Sequence, residues 1–217
     1  MSSLFPTKPA SIPASVEFDA IAAGAQFRDV IAIRVTADPD ALFRALREVT
    51  LADMTLARIV GEIRYLPTRL IGRLPPEDRR KPFLAILIDG GTLILRDNAP
   101  REIVTGSAGR LHRVFDQAPV RFESAAAFEA FDDPDHEKLF MSVRVTDADA
   151  GGGRWLVLEH ATRAMSPAAE KKFRRYWRVI KPGGAFVTRE LLKAIDRRAR
   201  TLSPPVSHGP VPRKDAA

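Results

Sequence analysis

The chain has 217 residues, 45% of them hydrophobic and 28% charged, with a formal net charge of +7, and such a composition suits a globular protein with one hydrophobic core. The absence of cysteine excludes disulfides, thiolate metal sites and cysteine nucleophiles. No stretch approaches the roughly 18 consecutive apolar residues of a membrane span, and the N-terminus lacks the apolar run of a signal peptide, so we expect a cytoplasmic protein.

The positive charge is concentrated in one segment. Residues 171–200 contain eleven Lys and Arg against two acidic residues, a net charge of +9 that leaves −2 for the rest of the chain. A protein whose basic charge lies in one segment offers one surface to an anionic partner, because its positive charge is not spread over the whole protein.

The two ends of the chain differ from its middle. The first 25 residues and the last 15 are rich in Pro, Ser and Ala and show no hydrophobic period. We therefore predict a flexible N-terminal arm over residues 1–25, a single domain over 26–202 and a disordered tail over 203–217.

The first half of the domain predicts a strand followed by two helices. The segment "FRDVIAIRVT" alternates apolar and polar residues, which is typical of a half-buried strand. Asp38 is a good helix N-cap and Pro39 suits the first helical position, so a helix is predicted to begin there. Residues 51–72 repeat apolar positions at helical spacing and predict a second helix, which Pro67 should kink or end.

The following segments predict strands. "PFLAILIDGGTLILRD" predicts two strands around Gly90 and Gly91, residues 101–111 a third, and residues 111–124 a fourth strand at an edge or with a break at Pro119. Residues 125–135 predict a short helix or loop.

Residues 138–165 predict a hairpin that turns at Gly151–Gly153. The return strand places Trp155, Val157, Glu159, Ala161 and Arg163 on one face and Leu156, Leu158 and His160 on the other. This alternation leaves open which face lies toward the core.

The last segment predicts a long amphipathic helix. Ser166 is its predicted N-cap, and apolar residues recur every three or four positions from Phe173 through Trp177, Ile180 and Gly184. Most Lys and Arg fall elsewhere, so we expect the apolar stripe to face the core and the basic side to face water. The Pro182-Gly183-Gly184 sequence predicts a kink or a brief interruption.

This order of elements resembles the helix-grip fold of the START/polyketide-cyclase-like (SRPBCC) superfamily. Ala37, Pro39, Leu42 and Phe43 fit the turn that follows the first strand in that family, and residues 151–199 are similar to an uncharacterised bacterial branch. The resemblance implies an α+β fold in which a curved antiparallel sheet wraps around a long C-terminal helix, with two helices after the first strand. Residues 50–82 are longer and more apolar than the family's second helix, and we expect them to act as a flap.

The resemblance implies a small hydrophobic or amphipathic ligand bound between the sheet and the C-terminal helix. The alternative is a polyketide cyclase or dehydratase, with Glu159 and Arg163 as a functional pair or His160 as a general base. The candidate lining residues, which could equally fill a core, are Phe140, Met141, Val143, Trp155, Val157, Glu159, Arg163, Phe173, Trp177, Ile180 and Gly184. We predict no cofactor and assign no catalytic residue.

Other candidate sites are weaker. "DDPDHE" at 132–137 lacks the spacing of a metal loop, and "GSAGR" at 106–110 lacks that of a phosphate loop, so no metal site is predicted. The basic helix could contact an anionic membrane surface. Nucleic acid is a weaker alternative, because Phe173 and Trp177 are needed for the core and leave no aromatic side chains to stack on bases.

Overall fold

The computed structural model describes residues 12–54, 80–113 and 120–202. In chain order the elements are α1 (Val16–Ile21), β1 (Phe27–Val35), α2 (Pro39–Glu48), a 3-10 turn (Leu51–Asp53), α3 (Phe83–Asp89), β2 (Leu93–Asn98), β3 (Glu102–Gly109), α4 (Ala125–Ala130), β4 (Glu137–Val145), β5 (Arg154–Ala164) and the C-terminal helix α5 (Pro167–Leu202).

One five-stranded sheet organises these elements in the order β1-β5-β4-β3-β2, and every neighbouring pair is antiparallel. The first strand therefore lies beside the last, and the C-terminal helix that follows β5 packs back over β1, β5 and α2. Among the described residues, the helices α2 and α3 lie between the first and second strands. The predicted fold class, an α+β helix-grip arrangement, is confirmed.

Local sequence signals explain α2 well. The Asp38 side chain accepts a hydrogen bond from the Asp40 amide at 2.9 Å, and Pro39 occupies the first turn. Both features satisfy or remove amide groups that have no partner at a helix start. Five apolar side chains on one side of the helix are buried, namely Ala41, Leu42, Phe43, Ala45 and Leu46.

Residues 83–89 form α3, whereas the sequence analysis predicted a strand there. The run is apolar at nearly every position, so it carries neither a two-residue nor a 3.6-residue period. The turn at Gly90 and Gly91 is present, and Gly91 has a φ of 93°, which favours glycine. The strand predicted after it begins at Leu93.

The fourth predicted strand is reduced, in its described part, to a single bridge between Val120 and Ala108. Residues 114–119 lie outside the described residues. So do residues 55–79, which hold most of the predicted second helix and flap; only the short turn Leu51–Asp53 is described at their start.

The described part of the predicted flexible arm differs from that expectation. Ser15 caps α1 by accepting from the Phe18 amide at 3.1 Å, and the side chains of Ile12, Phe18 and Ala22 are buried. The segment is too short and too rich in small residues to show a period, but one phenylalanine is enough to anchor it on the sheet.

The C-terminal helix is continuous over 36 residues, with Pro182 inside it and without the predicted interruption. Pro182 is exposed, as is Arg178 four residues earlier, so the Arg178 carbonyl that lacks an amide partner can be hydrated. The Ser166 hydroxyl accepts from the Ala169 amide at 3.1 Å, as predicted for an N-cap. Neither this helix nor another in the described ranges is apolar enough to cross a membrane. The predicted tail over 203–217 lies outside the described residues.

Candidate ligand-binding site

The sheet separates two hydrophobic cores. On the helix-facing side, which we define as the side that packs on the C-terminal helix, Ile31, Val143 and Leu158 meet Leu191 and Ile195. On the opposite side, Val104, Phe140 and Ala161 meet Phe18 and Phe128. Because side chains alternate along a strand, each strand residue belongs to one of these two sides.

The predicted lining residues do not surround one space. Met141 and Val143 lie on the helix-facing side together with the helix residues Phe173, Trp177 and Ile180. The other strand residues of that set lie on the opposite side, since they alternate with Met141, Leu156 and Leu158; they are Phe140, Trp155, Val157, Glu159 and Arg163. Of the two faces of β5, the one that carries Leu156, Leu158 and His160 therefore lies toward the helix.

Glu159 and Arg163 are engaged on the opposite side. The Glu159 carboxylate is 3.0 Å from the Arg144 guanidinium and 3.5 Å from that of Arg28. Arg163 donates to the Ala23 carbonyl at 3.0 Å and lies over the Phe140 ring. The buried charge of Glu159 is tolerated because it is paired with Arg144, and the hydrogen bond from Arg163 to Ala23 ties the N-terminal segment to the sheet.

An aromatic cluster closes the space at the N-terminal end of the C-terminal helix. The rings of Phe27 and Phe173 lie 4.8 Å apart edge to face, and Trp177 stacks on Phe173 at 5.8 Å. Phe173 is buried, whereas Trp177 is partly exposed. The helix is therefore buried at Phe173 and partly open to solvent about one turn later, at Trp177.

Further along the helix, its sheet-facing side is open. Gly184 lies eleven residues after Phe173 and seven before Leu191, which places all three on the same side of the helix. Phe173 and Leu191 are buried, but Gly184 is exposed, and no heavy atom of the described chain lies within 4 Å of the position that a Cβ there would occupy. Between two buried ends, no described residue therefore packs against the helix at Gly184.

The sheet surface on this side is also incompletely covered. Thr105, Met141, His160 and Asp29 lie side by side across β3, β4, β5 and β1. The partly exposed residues Ser107, Leu139, Met141 and His160 form a continuous patch on that surface. We call the space bordered by Leu139, Met141, His160, Trp177, Ile180 and Gly184 the helix-facing gap.

A small cavity adjoins this gap. Its volume is about 20 Å³, and it is lined by Leu46, Phe83, Leu84, Leu87, Ile103, Thr105, Met141, Val143 and Leu191. This volume holds at most a single water molecule. Met141 borders both spaces, so an occupant of the gap could contact the cavity but could not fit inside it.

Several polar groups lie along the helix-facing side, and two of them are His160 and Glu137. His160 keeps part of its surface accessible, but the protein atoms packed around its imidazole remove water from it and lower its pKa to about 4, so the ring is neutral at pH 7. Glu137 is fully buried at the start of β4 and accepts hydrogen bonds from His112 Nδ1 at 2.8 Å and from the Leu111 amide at 2.7 Å. The His112–Glu137 pair was not predictable from sequence, because the two residues are 25 positions apart and share no motif.

Comparison with known proteins adds only distant structural likeness. No family model matches the sequence, and no curated protein matches it. Among solved structures, the chain is similar to CalU16 from Micromonospora echinospora, with 17% identity, 80% of this chain and 84% of that chain covered, and a TM-score of 0.26. At these values the likeness carries no conclusion about function, and the fold assignment rests on the strand order and helix packing described above.

Proposed function

We propose that the protein binds a small hydrophobic or amphipathic molecule in the helix-facing gap. The observation that carries this proposal is the space at Gly184 that no described residue fills, on the side of the helix that is buried both before and after it. Protein interiors are normally packed to crystal density, so unfilled space beside an otherwise sealed core is a feature of ligand sites. The resemblance to the START/polyketide-cyclase-like superfamily supports a ligand in this position.

The lining of the gap suits an apolar guest with one polar group. Leu139 and Met141 border it from the sheet, and Trp177 and Ile180 border it from the helix. A neutral His160 imidazole can donate or accept one hydrogen bond, so it can bind a hydroxyl or carbonyl group without burying a charge. The ligand predicted from these contacts is uncharged where it meets the sheet.

A cyclase or dehydratase needs acid and base groups that reach one reacting centre. The acid–base candidates on this side of the sheet are His160, opposite Met141 on β4, Asp29, opposite His160 on β1, and Glu137 with its partner His112. Glu137 and Met141 are four residues apart on one strand, a separation of about 13 Å. Glu137 is therefore too far from His160 to share a reacting centre with it, and Asp29 is already paired with Lys181 at 3.6 Å, so we infer binding in preference to acid–base catalysis.

Fluorescence of the uncharged probe N-phenyl-1-naphthylamine tests the proposal. We expect a saturable rise in emission with one probe per chain, and a lower signal when a lipid extract of the purified protein is added back. Native mass spectrometry of the same preparation should show the co-purified molecule. A linear, non-saturating response to the probe would contradict a defined site.

A matched pair of variants locates the probe. Leu139→Gln places an amide in the helix-facing gap and should weaken probe binding about tenfold. Leu95→Gln makes the same change at a partly buried position on the opposite side and should leave binding unchanged. Equal losses in both variants would show that the probe reports general loosening of the fold and not this site.

A further inference from the structure

The solvent side of the C-terminal helix carries a stripe of cations interrupted by apolar side chains. We define this basic stripe as Lys171, Arg175, Arg178, Val179, Phe186 and Arg189. Its members recur at spacings of three, four or seven residues, which places them on one side of a helix that turns about 100° per residue. This side is turned away from the buried residues Phe173 and Leu191.

The cations of the stripe are not neutralised by the described part of the chain. Other basic residues of the same helix are paired: Arg174 with Glu170, Lys172 with Asp135 and Lys181 with Asp29. By contrast, Lys171, Arg175, Arg178 and Arg189 form no ion pair or hydrogen bond with any described side chain or carboxylate. Four free positive charges on one side of one helix attract an anionic partner.

The apolar members of the stripe are unusually exposed. Val179 is 79% exposed and Phe186 is 40% exposed, and they lie between Arg178 and Arg189. Burial of these side chains would be favourable by the hydrophobic effect, yet no described residue covers them. A partner that fits this surface must therefore offer both negative charge and an apolar environment.

We propose that the basic stripe docks the protein on an anionic lipid bilayer. The helix would lie parallel to the membrane, with the four cations among acidic headgroups and with Val179 and Phe186 at the boundary with the acyl chains. This proposal does not depend on a ligand in the helix-facing gap, because the gap lies on the other side of the helix.

Other occupants fit less well. An aliphatic side chain such as Val179 cannot stack on a base, and Phe186 is the single exposed ring of the stripe, which disfavours single-stranded nucleic acid. A second copy of the chain would bring like charges together. The chain's own segments 1–11, 55–79 and 203–217 are net basic, the middle one with five Arg against three acidic residues, so none of them complements the stripe.

Flotation with lipid vesicles tests the docking proposal. Phosphatidylcholine vesicles with 30% phosphatidylserine should carry the protein upward in 0.1 M NaCl, and pure phosphatidylcholine vesicles should not. Raising NaCl to 0.5 M should weaken binding at least tenfold, because surface electrostatics are screened over a few ångströms at high salt. Binding that ignores phosphatidylserine would overturn the proposal.

Charge reversal distinguishes this surface from net charge alone. Arg175→Glu with Arg178→Glu should weaken vesicle binding at least tenfold. Arg44→Glu with Arg101→Glu changes the net charge equally at two exposed cations away from the stripe, and should leave binding within twofold. An equal loss in this control pair would overturn the assignment to the stripe.

Removal of the apolar members tests insertion. Val179→Ser with Phe186→Ser keeps the charge and should weaken binding about fivefold or more; unchanged binding would overturn insertion of these side chains. A single-stranded 20-mer DNA provides the competing outcome. If it binds more tightly than the anionic vesicles and shows the same sensitivity to the Arg175 and Arg178 variants, the surface belongs to nucleic acid and the membrane proposal fails.

Discussion

The two sides of the sheet differ in the side chains that they bury. On the opposite side, charged groups are buried but paired: Arg144 contacts Glu159 at 3.0 Å and the Pro13 carbonyl at 2.9 Å, and Ser142 donates to Glu102. On the helix-facing side, most side chains are apolar, yet no described residue fills the space at Gly184.

This difference separates structural charges from a candidate site. Buried charges often mark functional sites, but here their partners account for them, and they fasten the N-terminal segment to the sheet. The candidate site lies instead where packing is incomplete. Variants on each side of the sheet can test this division.

The largest effect is expected from loss of the anchor of the N-terminal segment. Phe18 is fully buried in the core of the opposite side, so Phe18→Ala should lower the free energy of unfolding by about 3–5 kcal/mol in urea titrations. Val16→Ala lies in the same helix at an 85% exposed position and should cost less than about 0.5 kcal/mol. If both substitutions lowered the free energy of unfolding by a similarly small amount, the N-terminal segment would not pack on the sheet.

Breaking the buried ion pair between Arg144 and Glu159 should destabilise the protein nearly as much as Phe18→Ala. Glu159→Gln keeps the shape of the side chain but leaves Arg144 buried without a counter-charge, which should cost about 3 kcal/mol. Asp97→Asn removes the charge of the exposed pair with Arg47 and should cost at most about 1 kcal/mol. If thermal and urea unfolding showed no difference between the two variants, the pairs on the opposite side would not carry the proposed structural role.

Trp177 lies at the edge of the gap and should have an intermediate effect. Its ring packs on Phe27 and Phe173 but is partly exposed, so Trp177→Ala should cost about 2 kcal/mol, less than a fully buried aromatic. Arg174→Ala removes an exposed charge of the same helix, paired with Glu170, and should cost less than about 1 kcal/mol. Reversed costs, measured by urea unfolding, would contradict the orientation of the helix.

The smallest predicted effect is pH dependence from His160. Its pKa is lowered to about 4 in the folded protein, so the unfolded chain binds an additional proton between about pH 6.5 and pH 4. Stability from this residue is therefore complete above pH 6.5 and is lost as the pH falls toward 4. Between pH 7 and pH 5 the wild type should lose about 1–2 kcal/mol more than His160→Gln. Parallel pH profiles for the two proteins would show that the imidazole is not buried.

Long periodic segments made much of the fold predictable. The alternation of residues 27–35, the cap at Asp38, the hairpin around Gly151–Gly153 and the apolar stripe of the last helix each predicted an element that the structure contains. Residues 83–89 were not predictable in the same way, because a short, uniformly apolar run fits a helix and a strand equally. Helix α1 was not predictable either, because its six residues contain one buried phenylalanine and show no helical period.

The candidate site was only partly predictable, because both sides of the sheet are covered. A strand with two buried faces has apolar residues on each, so alternation along β5 does not show whether Val157 or Leu158 faces the helix. The position of Gly184 on the sheet-facing side followed from helical spacing. The space beside it that no described residue fills depends on how the helix packs over the sheet, which local sequence does not encode.

The most direct test of the central claim compares two substitutions of Gly184 in the N-phenyl-1-naphthylamine titration. Gly184→Ala and Gly184→Leu should both fold and gain up to about 1 kcal/mol, because the Cβ meets open space and glycine is a poor helix former. Only the leucine side chain is large enough to fill the gap, so the account predicts that Gly184→Leu loses probe binding at least tenfold while Gly184→Ala retains it. Undiminished binding in a stable Gly184→Leu protein would contradict a ligand site beneath the C-terminal helix.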